Sequence, residues 1–180
     1  MNSISQLDVF LRNWRKMPEE HELLPVRRGP RGHVNLTGAP EAPSITFTKD
    51  HVQFVDSLEE GVRDLVLCII RTLNCVTYSS CEGHLTEDGT GIFCGRHVAI
   101  ICNDPEERFV LRQRLENAIA RVQHPRNTML LTVLEEDLDT EKSSLQALNL
   151  IFLPTTKKPE EYFGELKAVY DEFVRRVIEC

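Results

Sequence analysis

The chain has 180 residues and ordinary hydrophobic content, enough to bury a substantial core, and that length favours one domain over two. Its formal net charge of −7 argues against indiscriminate binding to polyanions, because phosphate contacts depend on Lys and Arg side chains. No apolar run approaches the roughly 20 residues of a membrane-spanning helix, and the N-terminus lacks a basic segment followed by an apolar signal core. With six cysteines in no secreted disulfide spacing, these features predict a cytoplasmic protein with reduced thiols and no membrane partner.

Ser3 and Gln6 have the form of a capping box, and Leu7, Phe10, Leu11 and Trp14 follow at helical spacing, predicting an amphipathic helix over 4–17. Residues 18–43 then read as an extended Gly/Pro-rich arm. Between Glu22 and Glu41 this arm carries Arg27, Arg28, Arg31 and His33 with no acid, so it is either a phosphate contact or a solvated connector. Ser44–Lys49 alternates as a short edge strand would. From Asp50 to Leu73, Phe54, Leu58, Val62, Leu65, Val66, Ile69, Ile70 and Leu73 recur every three or four residues, which predicts one long helix ended by Asn74. Cys75–Tyr78 and Val98–Cys102 read as strands. Asp104, Pro105 and Glu107 mark a helix start, and the helix runs to about Val122. Residues 128–134 and 146–153 read as two further strands. The acidic segment Glu135–Glu141 between them reads as a hairpin loop, without the glycine and ligand spacing of a calcium loop. Pro159 opens a last helix with an apolar stripe from Tyr162 to Val177.

Two successive strand–strand–helix units predict an α+β fold: a four-stranded antiparallel or mixed sheet with helices mainly on one face, in a single domain. A doubly wound nucleotide-binding sheet is disfavoured, since strands and helices do not alternate singly and no glycine-rich phosphate loop is present.

Reactive side chains crowd into CVTYSSCEGHLTEDGTGIFCGRHVAIIC, residues 75–102. Three chemistries fit them. Cys81-x-x-His84 and Cys94-x-x-His97 repeat one spacing, and a Cys2His2 set satisfies tetrahedral zinc. Alternatively, Cys81 is a nucleophile activated by His84 or His97, with Glu82 orienting the imidazole or, like His84, serving as general acid or base. In the third reading Ser79, Ser80, Gly83 and the loop amides hold an anion. The bland alternative is a hairpin turn whose histidines satisfy local hydrogen bonds.

The run from the apolar helix through Asn74 into Thr77-Tyr78-Ser79-Ser80-Cys81-Glu82-Gly83-His84 resembles the helix–strand–loop segment of the tRNA wybutosine-synthesis methyltransferase family, whose loop reads Ser-Ser-Cys-Ser-Gly-Arg. It also looks like the Ser-Cys-Glu-Gly-His segment of small uncharacterised bacterial and phage proteins. The first resemblance covers about a sixth of the chain. It implies S-adenosylmethionine-dependent RNA modification, with Ser79, Ser80, Cys81 and Gly83 at the motif. Glu82 replaces the family's serine and His84 its arginine, exchanging a permanent cation for a titratable base or metal ligand. The sequence therefore predicts an enzyme or ligand-binding domain for a nucleotide or RNA-like ligand at Ser79–His84, with Arg27, Arg28, Arg31 and His33 contacting phosphate. The rival expectation is a zinc-binding structural or protein-interaction module using Cys81, His84, Cys94 and His97.

Overall fold

The computed structural model describes residues 7–14, 23–40, 42, 47–139 and 144–179. Helix α1 (Leu7–Trp14) buries Leu7 and Trp14, and Trp14 meets Phe54 edge-on at 5.8 Å, which ties α1 to the turns over 47–58. The rest of the expected 4–17 helix lies outside the described residues, as does most of the expected edge strand; its Phe47 and Thr48 are not in a strand. Within the arm, β1 (Arg27–Arg28) and β2 (Val34–Asn35) pair antiparallel, so this stretch is a folded hairpin rather than an extended segment.

The long helix expected over 50–73 is shorter. Residues 49–57 form successive turns, and α2 spans Glu60–Thr72. The break follows from composition: Ser57 bonds its hydroxyl to the Phe54 carbonyl, and Gly61, a poor helix former, sits in the first turn. At the other end Asn74 takes a left-handed φ of 51°, a conformation asparagine tolerates, and turns the chain into the sheet.

Strands β3 (Val76–Cys81), β6 (Arg96–Ile101), β7 (Met129–Asp139) and β8 (Ser144–Pro154) form one antiparallel sheet in the order β3-β6-β8-β7. Between the first two, β4 (His84–Leu85) and β5 (Ile92–Cys94) make a separate two-stranded piece. Helices α3 (Pro105–Arg121) and α4 (Pro159–Glu179) complete the chain. The start of α3 is as expected: Asp104 accepts from the amides of Glu106 and Glu107, with Pro105 at the first position.

Register sets the two faces of the sheet. Leu131, Phe152 and Arg96 lie in one row across β7, β8 and β6, and Val133, Leu150 and Val98 in the next. The buried apolar side chains of these rows meet Leu65, Val66 and Ile69 of α2, Leu111 and Leu115 of α3, and Leu166 and Phe173 of α4 in a single core. The fold is therefore α+β, with an antiparallel sheet covered on one face by α2, α3 and α4. On the opposite face Leu130, Leu134 and Leu153 are exposed.

Glu135–Asp139, the described part of the acidic segment, is strand rather than loop. β7 continues through Glu135–Asp139 because β8 pairs with it along its whole length, and two of its acids find partners: Glu135 meets Arg112 of α3 at 2.8 Å, and Glu136 accepts from the Tyr78 hydroxyl at 3.2 Å. Among the described residues, no helix is long and apolar enough to cross a membrane.

Candidate functional site

The N-terminus of α2 organises the site. A helix start leaves amide donors unpaired, and the residue at the cap normally supplies an acceptor. Here Glu59 occupies that position, but its side chain makes no cap; it turns away toward His84. Glu82, from the segment after β3, accepts from the Gly61 amide at 2.7 Å in its place. In return Glu59 accepts from the Glu82 amide at 2.6 Å. Two carboxylates thus satisfy donors on each other's segment. Gly61 permits the close approach, since a Cβ there would meet the Glu82 Cβ and the Arg96 guanidinium.

His84 lies at the centre, 3% exposed. Its Nδ1 donates to the Arg31 carbonyl at 3.0 Å, and its Nε2 lies 2.9 Å from Glu59 Oε1. The His33 ring lies against it, tilted by 34°, at a centroid distance of 3.6 Å. Burial works to lower the His84 pKa, yet the hydrogen bond and charge of Glu59 hold it above the ordinary histidine value. Burial likewise works to raise Glu59, and the His84 bond and Glu82 amide outweigh it, leaving the carboxyl below its usual range. The pair is a buried imidazolium–carboxylate contact.

The basic hairpin folds down onto this centre. Gly32 has a φ of +90°, and a Cβ there would collide with the Glu82 carboxylate. Arg28 reaches to 4.0 Å from Glu82, and Arg31 to 3.9 Å from the exposed Glu87. Arg27 is exposed. A cleft of about 520 Å³ opens between Pro30 and Arg31 of the hairpin, Gly83–Leu85, and Pro159 and Phe163 of α4. A second hollow, about 160 Å³, is bordered by Ser79 and Ser80 together with Glu59, Phe10 and Phe54.

The cysteines are close but unequal. Cys81 and Cys94 Sγ atoms are 3.4 Å apart, with Cys94 paired to His84 in the small sheet. The shared hydrogen bond raises Cys81, helped by burial, and lowers Cys94 to about 7. Cys94 is therefore the sulfur that ionises more readily, whereas Cys81 was the expected nucleophile. His97 lies across from Cys81 on β6, with Nε2 3.4 Å from the Ser79 hydroxyl, and burial lowers its pKa.

Of the expected site residues, His84, Glu82, Gly83, Arg28, Arg31 and His33 meet around the hairpin, while Ser79 and Ser80 belong to β3 and face the smaller hollow. Of the expected Cys2His2 set, the Cys81 and Cys94 sulfurs come together, and a further convergence lies beside them. Among the described residues, the group of three potential ligand atoms that all lie within 4.8 Å of one another is that of His33, Glu59 and His84. Glu59 escaped the sequence reading because it sat inside the supposed long helix; Gly61 and the Ser57–Glu60 spacing, which resembles a helix start, were the available signals. Arg96 was also missed. Its buried guanidinium donates to the Glu82 carbonyl at 3.1 Å and lies 4.4 Å from the Tyr170 ring centroid, bracing the loop from the helix side.

Fold and site together define an α+β protein with a buried His–Glu centre closed by a basic hairpin. Comparison with protein-family models, curated proteins and solved structures finds no match to this chain.

Proposed function

We propose that this chain binds a nucleotide or RNA-like anionic ligand in the cleft between the basic hairpin, Gly83–Leu85 and the start of α4. The observation that supports this reading is the lining of the cleft: Phe163 and two prolines offer apolar surface to a base, and Arg31 offers a cation to phosphate, with Glu160 of α4 the acid on its wall. Its volume falls in the range of small-molecule sites. An acidic protein that takes an anionic ligand must concentrate positive charge locally, and Arg27, Arg28 and Arg31 do so on one hairpin. Glu82 and His84 already have their polar atoms committed, so binding is the primary role and acid–base work requires a ligand to displace Glu59 or the Arg31 carbonyl.

The test is equilibrium binding of ADP, a short single-stranded RNA and S-adenosylmethionine, each with chelator present. The expected result is saturable binding of ADP or the RNA, weakened at least about fivefold by Phe163→Ala, the lower end of about 1–3 kcal/mol of stacking; binding of S-adenosylmethionine alone, a cation without phosphate, counts against an anion site. Replacing Arg27, Arg28 and Arg31 with alanine weakens it in a salt-dependent way. If no probe binds, or the triple variant binds as tightly as the parent at every salt concentration, the reading fails.

A further inference from the structure

The Glu59–His84 contact has the form of a metal site with a proton where the ion would sit. His84 Nδ1 donates to a backbone carbonyl, the arrangement that fixes a ligating imidazole's tautomer and leaves Nε2 to the metal. Nε2 and Glu59 Oε1 are 2.9 Å apart. Two donors each about 2.0–2.1 Å from one ion lie roughly 2.9–3.4 Å apart for ligand angles between 90° and tetrahedral, so this spacing needs little adjustment. His33 supplies a third donor, its ligand atom within 4.8 Å of the other two. It is carried by the hairpin that Gly32 lets fold down onto Glu82.

Charge points the same way. The Glu59 carboxylate is 12% exposed and its ion-pair partner is His84; among the described residues no Lys or Arg lies within 4.0 Å of it. A buried carboxylate without a permanent cation is costly. Arg28, the nearest arginine of the hairpin, is directed at Glu82 instead.

We propose that His33, Glu59 and His84 form a three-ligand site for a divalent first-row transition-metal ion, with its remaining coordination positions open. Two imidazoles and one carboxylate suit zinc, iron, cobalt or nickel and disfavour magnesium and calcium, which take oxygen ligands. Three protein ligands are the pattern of a reactive rather than a purely structural centre. Glu59 borders the hollow that holds Ser79 and Ser80, and His84 borders the larger cleft, so an ion held by both lies between two ligand-accessible spaces. The site goes beyond nucleotide binding and does not require it.

The experiment uses the full chain, purified without a metal-affinity tag, stripped with chelator and titrated calorimetrically with Zn2+, Co2+, Mn2+, Fe2+ under anaerobic conditions, and Ca2+. One equivalent of a transition metal binds and Ca2+ does not. His33→Ala and Glu59→Gln each weaken binding by about 100-fold or more, because even outer-shell changes at such sites cost about 10–100-fold. Cys81→Ser and Cys94→Ser leave the affinity within about threefold. If Glu59→Gln does not fold, the near-ultraviolet and visible spectrum of the Co2+ form of the parent protein decides: d–d bands of nitrogen and oxygen coordination alone support the site, and a near-ultraviolet thiolate charge-transfer band overturns it. Absence of stoichiometric binding, or binding kept in His33→Ala and lost in the cysteine variants, also overturns it. Because metal is titrated without nucleotide and nucleotide with chelator, either proposal can fail while the other stands.

Discussion

Glu82 was expected to work as an acid or base, and the structure makes it the cap of α2, so its replacement separates the two roles. In Glu82→Ala the Gly61 amide loses its acceptor at the start of a 13-residue helix. A hydrogen bond to a charged group contributes about 1.5–3 kcal/mol, and it already contains most of the 0.3–1 kcal/mol of favourable interaction with the helix dipole. Arg28, 4.0 Å away with 39% of its side chain exposed, adds little. The expected loss is therefore about 2–3 kcal/mol, or roughly 5–10 °C in melting temperature for a chain of this size. Glu82→Gln keeps an acceptor oxygen and loses only the charge, and should cost about 1 kcal/mol. Urea unfolding followed by circular dichroism gives both values from the shift in midpoint at constant slope. An alanine variant within about 0.5 kcal/mol of the parent would refute the capping argument and return Glu82 to the catalytic candidates.

Tyr162→Phe removes the hydroxyl that accepts from the Arg96 amide at 3.0 Å and donates to the Phe152 carbonyl at 2.7 Å, in a residue with no exposure. The expected cost is about 1–3 kcal/mol by denaturant unfolding, with the fold retained. In metal-free protein, stability should pass through a maximum in mildly acidic solution. Glu59, lowered in the folded state, contributes fully above its ordinary value of 4.5 and loses that contribution as pH falls through its folded value; His84, raised, contributes fully below 6.5 and loses it as pH rises through its own. His33, Cys81 and Cys94 also face this pair, so the comparison is with His84→Gln across pH 4 to 9. Equal curvature in the two proteins would contradict the ion pair.

The sheet was legible because its strands carry their own signal. Val98–Ile101 and 146–153 are apolar enough to be read without their neighbours. The errors fall where a partner decides the conformation. Glu135–Asp139 looks like a loop by polarity and is strand because β8 pairs with it residue by residue, with Arg112 and Tyr78 meeting Glu135 and Glu136. Residues 50–73 keep a helical spacing of apolar groups through a region where only turns form, since Phe54 and Leu58 pack into the same core from either structure. The site was legible as a density of cysteine and histidine, but its geometry was not. Glu59 and His84 are 25 positions apart and His33 a further 26 before Glu59, and no spacing rule relates a helix cap, a short strand and a hairpin. The twin Cys-x-x-His spacing says little about geometry for a related reason: strand alternation and the β4–β5 pairing bring the sulfurs together while His97 lies on β6.

The antiparallel pairing of β7 with β8 also bears on the order of assembly. These strands are neighbours in sequence and close with little loop entropy, while β6 must find β8 across the whole of α3 and β7. The β7–β8 and β3–β6 pairs are both local, and the four-stranded sheet closes when β6 meets β8. Arg31–His33, Glu59 and His84 come from segments joined only after β3 is seated, so the His–Glu centre is among the last parts of the molecule to form. A ligand of that centre recognises the completed chain alone, and its binding would slow unfolding far more than it would hasten folding.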